Sequence, residues 1–171
     1  MTLSFDLSGT ILVLGGTRSG KSAFTESLFE GCAQAAYLAT AEALDDEMKD
    51  RIAVHQSRRS DGWVTMEEPV LLTRAIADTN LPLLVDCLTM WLSNLMQLEK
   101  DIASSTDELC QTLQDRTQPV VLVSNEVGGG IVPENALARR FRDEAGLLNQ
   151  RVASVADSVY LVTAGLPQKL K

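Results

Sequence analysis

The stretch Gly15-Gly16-Thr17-Arg18-Ser19-Gly20-Lys21-Ser22 constrains this chain more than any other. It follows an apolar run, Ile11-Leu12-Val13-Leu14, and precedes an amphipathic segment over residues 21–29. A buried strand, a glycine-rich turn and a helix are expected in succession, with Gly31 suited to close the helix at positive φ. Gly15-x-x-x-x-Gly20-Lys21-Ser22 fits the P-loop pattern, in which each position has a physical task. The glycines allow a tight loop whose N–H groups point inward, and the helix N-terminus adds positive potential. Lys21 has the reach for β- and γ-phosphates, and the Ser22 hydroxyl is of the type that ligates Mg²⁺. An ordinary glycine-rich turn has no need of a lysine and a hydroxyl at these two places.

Short apolar runs then alternate with amphipathic stretches. Residues 35–40, 81–86, 119–124 and 159–163 read as strands, and residues 165–170 as one more. Leu44, Met48 and Ile52 give a helix over residues 43–58, and residues 70–77 a shorter one. Leu88, Trp91, Leu92, Leu95 and Met96 have helical spacing, as do Ile102, Leu109 and Leu113 more weakly. Pro133 stands where a last helix would begin, with Leu137, Phe141, Leu148, Val152 and Val155 as its apolar face. Strands that are apolar throughout, alternating with helices, predict an α/β fold with a mostly parallel sheet and helices on both faces. Ligands in such sheets bind at the carboxyl ends of the strands. At 171 residues this is expected to be one domain over residues 1–171, with residues 1–10 a leader before the first strand.

A formal net charge of -8 argues against a nucleic-acid backbone as partner, since that needs a basic face. An anionic ligand must instead be gripped locally, by backbone N–H groups or a few placed cations. No apolar run reaches the roughly 20 residues of a membrane span, and the first ten residues lack the features of a signal peptide. Cys32, Cys87 and Cys110 are far apart and in no metal-ligand spacing, so buried or half-buried thiols in a reducing, cytoplasmic setting are expected.

Asp86 closes Leu83-Leu84-Val85-Asp86, where a P-loop protein carries the acid that holds its metal. Its competing role is an N-cap for the helix that starts near Cys87. His55 is the one histidine. Arg51 lies a helical turn before it, and Arg58 and Arg59 about a turn after, which gathers cations beside the imidazole. Such neighbours lower a histidine pKa and leave a neutral, nucleophilic nitrogen, as attack on an α-phosphate requires. A solvated, charged helix face with no task explains the same residues, and the physics leaves both open. In Ser124-Asn125-Glu126-Val127-Gly128-Gly129-Gly130, a strand runs through a polar pair into glycines, a form that approaches ligands as well as merely connecting elements. Trp91 and its Leu/Met neighbours read as core or subunit interface.

Taken together, these blocks resemble the bifunctional adenosylcobinamide kinase / adenosylcobinamide-phosphate guanylyltransferase family. Beyond the P-loop, the resemblance rests on Tyr37-Leu38-Ala39-Thr40-Ala41, Asp45-Asp46-Glu47-Met48 with Arg51-Ile52 and His55, Trp63-Val64-Thr65, and Glu67-Glu68-Pro69. It continues through Val85-Asp86-Cys87-Leu88-Thr89-Met90-Trp91, Asn125-Glu126-Val127-Gly128, Pro133-Glu134-Asn135 and Arg142-Asp143 to Asn149-Gln150. It implies a RecA-like P-loop NTPase fold and two reactions. In the first, a hydroxyl of adenosylcobinamide takes a γ-phosphoryl from GTP or ATP. In the second, a histidine, here His55, attacks the α-phosphate of GTP and passes GMP to adenosylcobinamide phosphate. Nucleotide contacts would fall on Gly15 through Ser22, on Thr40, Ala41 and Glu42, on Gln56, Ser57, Arg58 and Arg59, on Glu67, and on Asp86. Ser22 and Asp86 would serve Mg²⁺, and the family implies a homotrimer with sites at subunit boundaries. Some relatives carry Glu where Asp86 stands, which keeps the acid and changes its reach. Two rival readings are a P-loop kinase of other small molecules, with His55 structural, and a nucleotide-binding switch. The latter lacks an Asn-Lys-x-Asp guanine motif.

Overall fold

The computed structural model describes residues 6–41 and 62–171. In chain order these form β1 (Thr10–Gly15), α1 (Lys21–Ser27), β2 (Ala35–Ala39), β3 (Trp63–Glu67), α2 (Leu72–Asp78) and β4 (Leu83–Asp86). There follow α3 (Leu88–Gln97), α4 (Ile102–Asp115), β5 (Val120–Asn125), α5 (Ala136–Val155), β6 (Ser158–Thr163) and β7 (Leu166–Lys169). The strands make one seven-stranded sheet in the order β3-β2-β4-β5-β1-β6-β7. Every neighbouring pair is parallel except β6 and β7, which form an antiparallel edge.

The apolar strand runs are explained by cover on both faces. Side chains of a strand alternate between faces, and here each parity has its own core. Leu12, Leu38, Val85 and Leu122 point toward α2, α3, α4 and α5, where they meet Ile76, Trp91, Leu92, Leu109, Leu148 and Val152. Ile11, Val13, Tyr37, Leu84, Val121 and Val123 point the other way, onto Phe24 and Leu28 at α1. Phe24 also packs edge-on against Tyr160 of β6, with ring centroids 5.3 Å apart.

Register brings the carboxyl ends of the parallel strands into line. Gly15 of β1 lies opposite Asn125 of β5, Val123 of β5 opposite Asp86 of β4, and Ala39 of β2 opposite both Asp86 and Glu67. The loop after β1, the acid after β4 and the polar pair after β5 therefore share one edge of the sheet.

At the opposite edge, Arg116 ties α2 to the strand that follows it. Its guanidinium donates to the carbonyls of Ile76, Thr79 and Leu81 at 2.6–2.7 Å. Carbonyls at a helix C-terminus are unpaired and carry partial negative charge, so a planar cation suits them. Arg116→Ala is expected to lower stability by about 2–3 kcal/mol in a denaturant titration, because three charge-assisted bonds are lost at once. Arg116→Lys should recover only part, since an ammonium cannot span the three carbonyls as a fork does.

Several sequence expectations need correction. β3 has no counterpart among the expected strands, because its edge position leaves Val64, Thr65 and Glu67 exposed and removes the apolar signal. The last helix does not start at Pro133. It starts at Ala136, where the Asn135 side chain accepts from the Ala138 N–H and supplies the cap. Leu137 is 65% exposed and leaves the predicted apolar face, whereas Phe141, Leu148 and Val152 keep it. Gly31 does take positive φ (92°), but after a run of turns rather than directly behind α1. Cys32 is exposed, while Cys87 and Cys110 are buried. Trp91 is 1% exposed within the single chain, so it belongs to the core and has no surface to offer a subunit interface. The helix expected over residues 43–58 lies outside the described residues.

Candidate nucleotide site

The loop between β1 and α1 is shaped by its glycines and by a brace from the far end of the chain. Gly20, at the N-cap of α1, has φ 99°, and a Cβ there would stand 2.8 Å from the Cα of Gly165. That contact exists because the β6–β7 turn lies on the loop, where the Gly165 N–H donates to the Ser19 carbonyl at 2.7 Å. A Cβ on Gly15 would meet Ser19 Oγ and the Val162 carbonyl oxygen, each at 2.6 Å. Neither position has room for a side chain, which is the physical content of the glycine spacing.

Inside this loop Lys21 is 8% exposed, and its Nζ donates to the Gly16 carbonyl at 2.7 Å. Burial pushes its pKa below the ordinary lysine value, while the Asp86 carboxylate acts in the opposite sense. Among the described residues Ser19 Oγ is a buried hydroxyl with no hydrogen-bond partner. A buried hydroxyl without a partner is costly, and an anion in the loop would relieve it. Thr17 and Arg18 stand exposed on the loop, Gly16 beside them, and Ser22 is half-buried in the first turn of α1.

Asp86 ends β4 and accepts from the Tyr37 hydroxyl at 2.7 Å through one carboxylate oxygen. It does not cap α3, whose N-cap is Cys87 with no side-chain cap bond. The N-cap explanation of this aspartate therefore falls away. The Asp86–Cys87 peptide is cis. Burial, and then Asp86, push the Cys87 thiol up, so it is a neutral wall of the site and not a thiolate.

Thr40 clasps the next peptide. Its hydroxyl donates to the Cys87 carbonyl at 2.7 Å and accepts from the Cys87 N–H at 2.9 Å. Asn94 of α3 then donates to the Thr40 and Pro69 carbonyls at 2.8 and 2.9 Å, joining the ends of β2 and β3 to the end of β4. Ala41 is half-buried beside Thr40, and Glu67 is exposed at the end of β3. Glu42, His55, Gln56, Ser57, Arg58 and Arg59 lie outside the described residues.

Spacing and composition do not single out Tyr37, Thr89 or Asn94 for this edge. Tyr37 sits in an otherwise apolar strand and Asn94 beside Ser93 in an amphipathic helix, and no spacing rule flags a lone hydroxyl or amide. Thr89, 3% exposed, accepts from Asn125 Nδ2 at 2.9 Å and lies 3.1 Å from Cys87 Sγ. Asn125 carries the one usable signal, a polar residue ending an apolar strand before glycines.

A family model described as cobinamide kinase / cobinamide phosphate guanyltransferase matches residues 11–170. The chain is 44% identical over 166 residues to the bifunctional adenosylcobalamin biosynthesis protein CobP of Pseudomonas aeruginosa, covering 94% of this chain and 96% of that protein. It is 41% identical to the bifunctional adenosylcobalamin biosynthesis protein CobU of Salmonella typhimurium, covering 94% and 99%. Among solved structures it is similar to a Pyrococcus horikoshii OT3 protein, with TM-score 0.53, 11% identity and coverage of 98% of this chain and 88% of that one. A prototypical ATPase from the type III secretion system of pathogenic bacteria gives TM-score 0.52 at 10% identity, covering 94% and 56%. At such identities these two likenesses speak for the fold alone, a mostly parallel sheet with helices on both faces. The chain belongs to the cobinamide kinase / cobinamide phosphate guanyltransferase family and is an enzyme of that family.

Proposed function

We propose that this enzyme phosphorylates adenosylcobinamide with GTP or ATP and then transfers GMP from GTP to adenosylcobinamide phosphate through a GMP-histidine at His55. The observation that carries the reading is the shared sheet edge on which the Gly15–Lys21 loop, Asp86 and the buried Ser19 hydroxyl, without a partner among the described residues, lie together. Loop N–H groups and Lys21 would hold the phosphates, with Gly16, Thr17, Arg18, Ser19 and Gly20 as the loop contacts. In the kinase step a substrate hydroxyl attacks the γ-phosphorus, the bond to the β-phosphate oxygen breaks, and a nucleoside diphosphate leaves. Positioning and charge stabilisation carry most of such a transfer. In the second step His55 attacks the α-phosphorus of GTP and pyrophosphate leaves. The hydroxyl-derived phosphate of adenosylcobinamide phosphate then displaces the histidine, giving adenosylcobinamide-GDP. Thr40, Ala41, Glu42, Gln56, Ser57, Arg58, Arg59 and Glu67 are the proposed remaining nucleotide contacts.

The residues present fit Mg²⁺, since a hydroxyl at Ser22 and a carboxylate at Asp86 are hard oxygen donors beside a phosphate loop. When bound, the ion supplies charge neutralisation to the phosphates. Asp86 keeps its orientation through Tyr37, whose hydroxyl donates to it. Small corrinoids and nucleotides, not nucleic acid, are the proposed partners, in keeping with a net charge of -8. Among the described residues no helix is long and apolar enough to cross a membrane. A cytoplasmic, single-domain homotrimer completes the proposal.

Incubation with α-labelled GTP and Mg²⁺, followed by denaturing separation, tests the covalent step. Wild-type protein should carry an acid-labile label, as a phosphoramidate does, and His55→Ala should carry none. Absence of label on wild-type protein that still binds GTP would overturn the transferase half and leave a P-loop kinase.

A further inference from the structure

Asn125 is not used by the scheme above, yet its placement is specific. β5 lies between β1, which feeds the phosphate loop, and β4, which ends in Asp86. Along β5, Val121 and Val123 face the α1 side of the sheet, and strand alternation puts Asn125 on that same face. It stands opposite Gly15, the first residue of the loop, and the next residue's N–H, from Glu126, donates to the Gly15 carbonyl at 3.1 Å. It lies two residues beyond Val123, the partner of Asp86. A carboxamide thus continues an apolar face outward, between the lysine loop and the acid.

The backbone here is anchored by other groups, on the other face. Ser124 Oγ donates to Asn149 Oδ1 of α5 at 2.6 Å, and Asn149 Nδ2 reaches the Asn125 carbonyl at 3.4 Å. The Asn125 side chain is therefore not what ends the strand. Its own hydrogen bond among the described residues is donation to Thr89 Oγ1 at 2.9 Å, and Thr89 Oγ1 in turn lies 3.1 Å from Cys87 Sγ. That bond uses one N–H and fixes the amide plane. A carboxamide has a second N–H and a carbonyl oxygen besides, and Asn125 is half-buried at the open edge of the sheet.

We infer that Asn125 reads the terminal phosphate of the bound nucleotide, donating to it from an amide held by Thr89, and so separates nucleoside triphosphate from diphosphate. The inference rests on the P-loop reading of residues 15–22. A neutral donor suits this task, because it stabilises a phosphate oxygen without adding a second permanent cation beside Lys21 that would also retain the diphosphate product. Removing one such preorganised donor costs about 10²–10³-fold in kcat where charge moves during reaction.

The test measures GTP and GDP affinities by titration, and kcat and KM for phosphorylation of adenosylcobinamide, in wild type, Asn125→Ala, Asn125→Asp and Lys21→Met. In Asn125→Ala the GTP-over-GDP affinity ratio should fall about tenfold and kcat by about 10²–10³-fold, with the KM for adenosylcobinamide within about twofold of wild type. Asn125→Asp keeps the shape and sets a carboxylate against the phosphate, so its ratio should fall further than that of the alanine variant. A purely structural asparagine would instead let the near-isosteric aspartate recover. A wild-type ratio and kcat in either folded variant overturns the inference, as does recovery by aspartate. If alanine prevents folding, the aspartate variant decides alone. Wild-type protein that binds neither nucleotide, or that binds both as well after Lys21→Met, overturns the P-loop reading itself. Normal wild-type and Lys21→Met behaviour with an unaltered Asn125→Ala overturns this inference only.

Discussion

Lys21→Met should lower both phosphoryl and guanylyl transfer by about 10²–10³-fold, measured as kcat/KM for GTP, without unfolding the protein. The ammonium is 8% exposed and lies in a loop built of backbone donors, so it acts on phosphate charge in a poorly solvated place where a charge counts for more than in water. Methionine keeps the length and removes the charge. The Gly16 carbonyl that Lys21 holds is on an exposed residue, and water can replace the lost donor there.

The stability side has the opposite sign. Burial lowers the Lys21 pKa, so the charged form is less favourable in the folded than in the unfolded chain. That penalty is present at neutral pH and fades as pH rises through the lowered folded-state pKa. Without nucleotide, the unfolding temperature of Lys21→Met at pH 7 should therefore match or exceed that of wild type. Phosphate binding needs the protonated lysine, so affinity should weaken at a lower alkaline pH than an unperturbed lysine would give. A loss of activity accompanied by a large fall in unfolding temperature would contradict this account.

Trp91→Ala should cost about 3–5 kcal/mol of folding stability in a denaturant titration. Trp91 is 1% exposed, among the largest fully buried side chains, and packs in the core beneath β2 and β4. Its Nε1 donates to the Val70 carbonyl at 2.9 Å, which ties α3 to the segment leading into α2. Alanine leaves both a cavity and a carbonyl without its donor. Since domain stabilities run at about 5–15 kcal/mol, the variant should be close to unfolding at growth temperatures. Trp91→Phe fills most of the volume and should lose less than half as much. An alanine variant within about 1 kcal/mol of wild type would mean that the core collapses around the gap.

The phosphate loop and the sheet class are legible in the sequence because both depend on local residue types. Backbone geometry at Gly15 and Gly20 admits no side chain, and a strand buried on both faces has to be apolar through its middle, as Ile11–Leu14, Ala35–Ala39 and Val120–Val123 are. Helix spacing likewise exposes α3 and α4. The start of α5 is not legible, because proline and asparagine both favour helix entry and only the cap bond from Asn135 decides between them. β3 leaves no strand signal, because an edge strand with a solvent-facing side need not be apolar.

What tertiary structure alone decided was adjacency. Strand order is not written in any local pattern: that β5 falls between β1 and β4 is what sets Asn125 between the lysine loop and Asp86. The same ordering gives Asp86 to Tyr37 and not to the helix behind it, and it lays Gly165, near the end of the chain, against Gly20 near its start. Sequence determined which groups are suited to phosphate; the pairing of strands far apart in the chain, chosen by burial of two whole faces at once, determined which of them stand together.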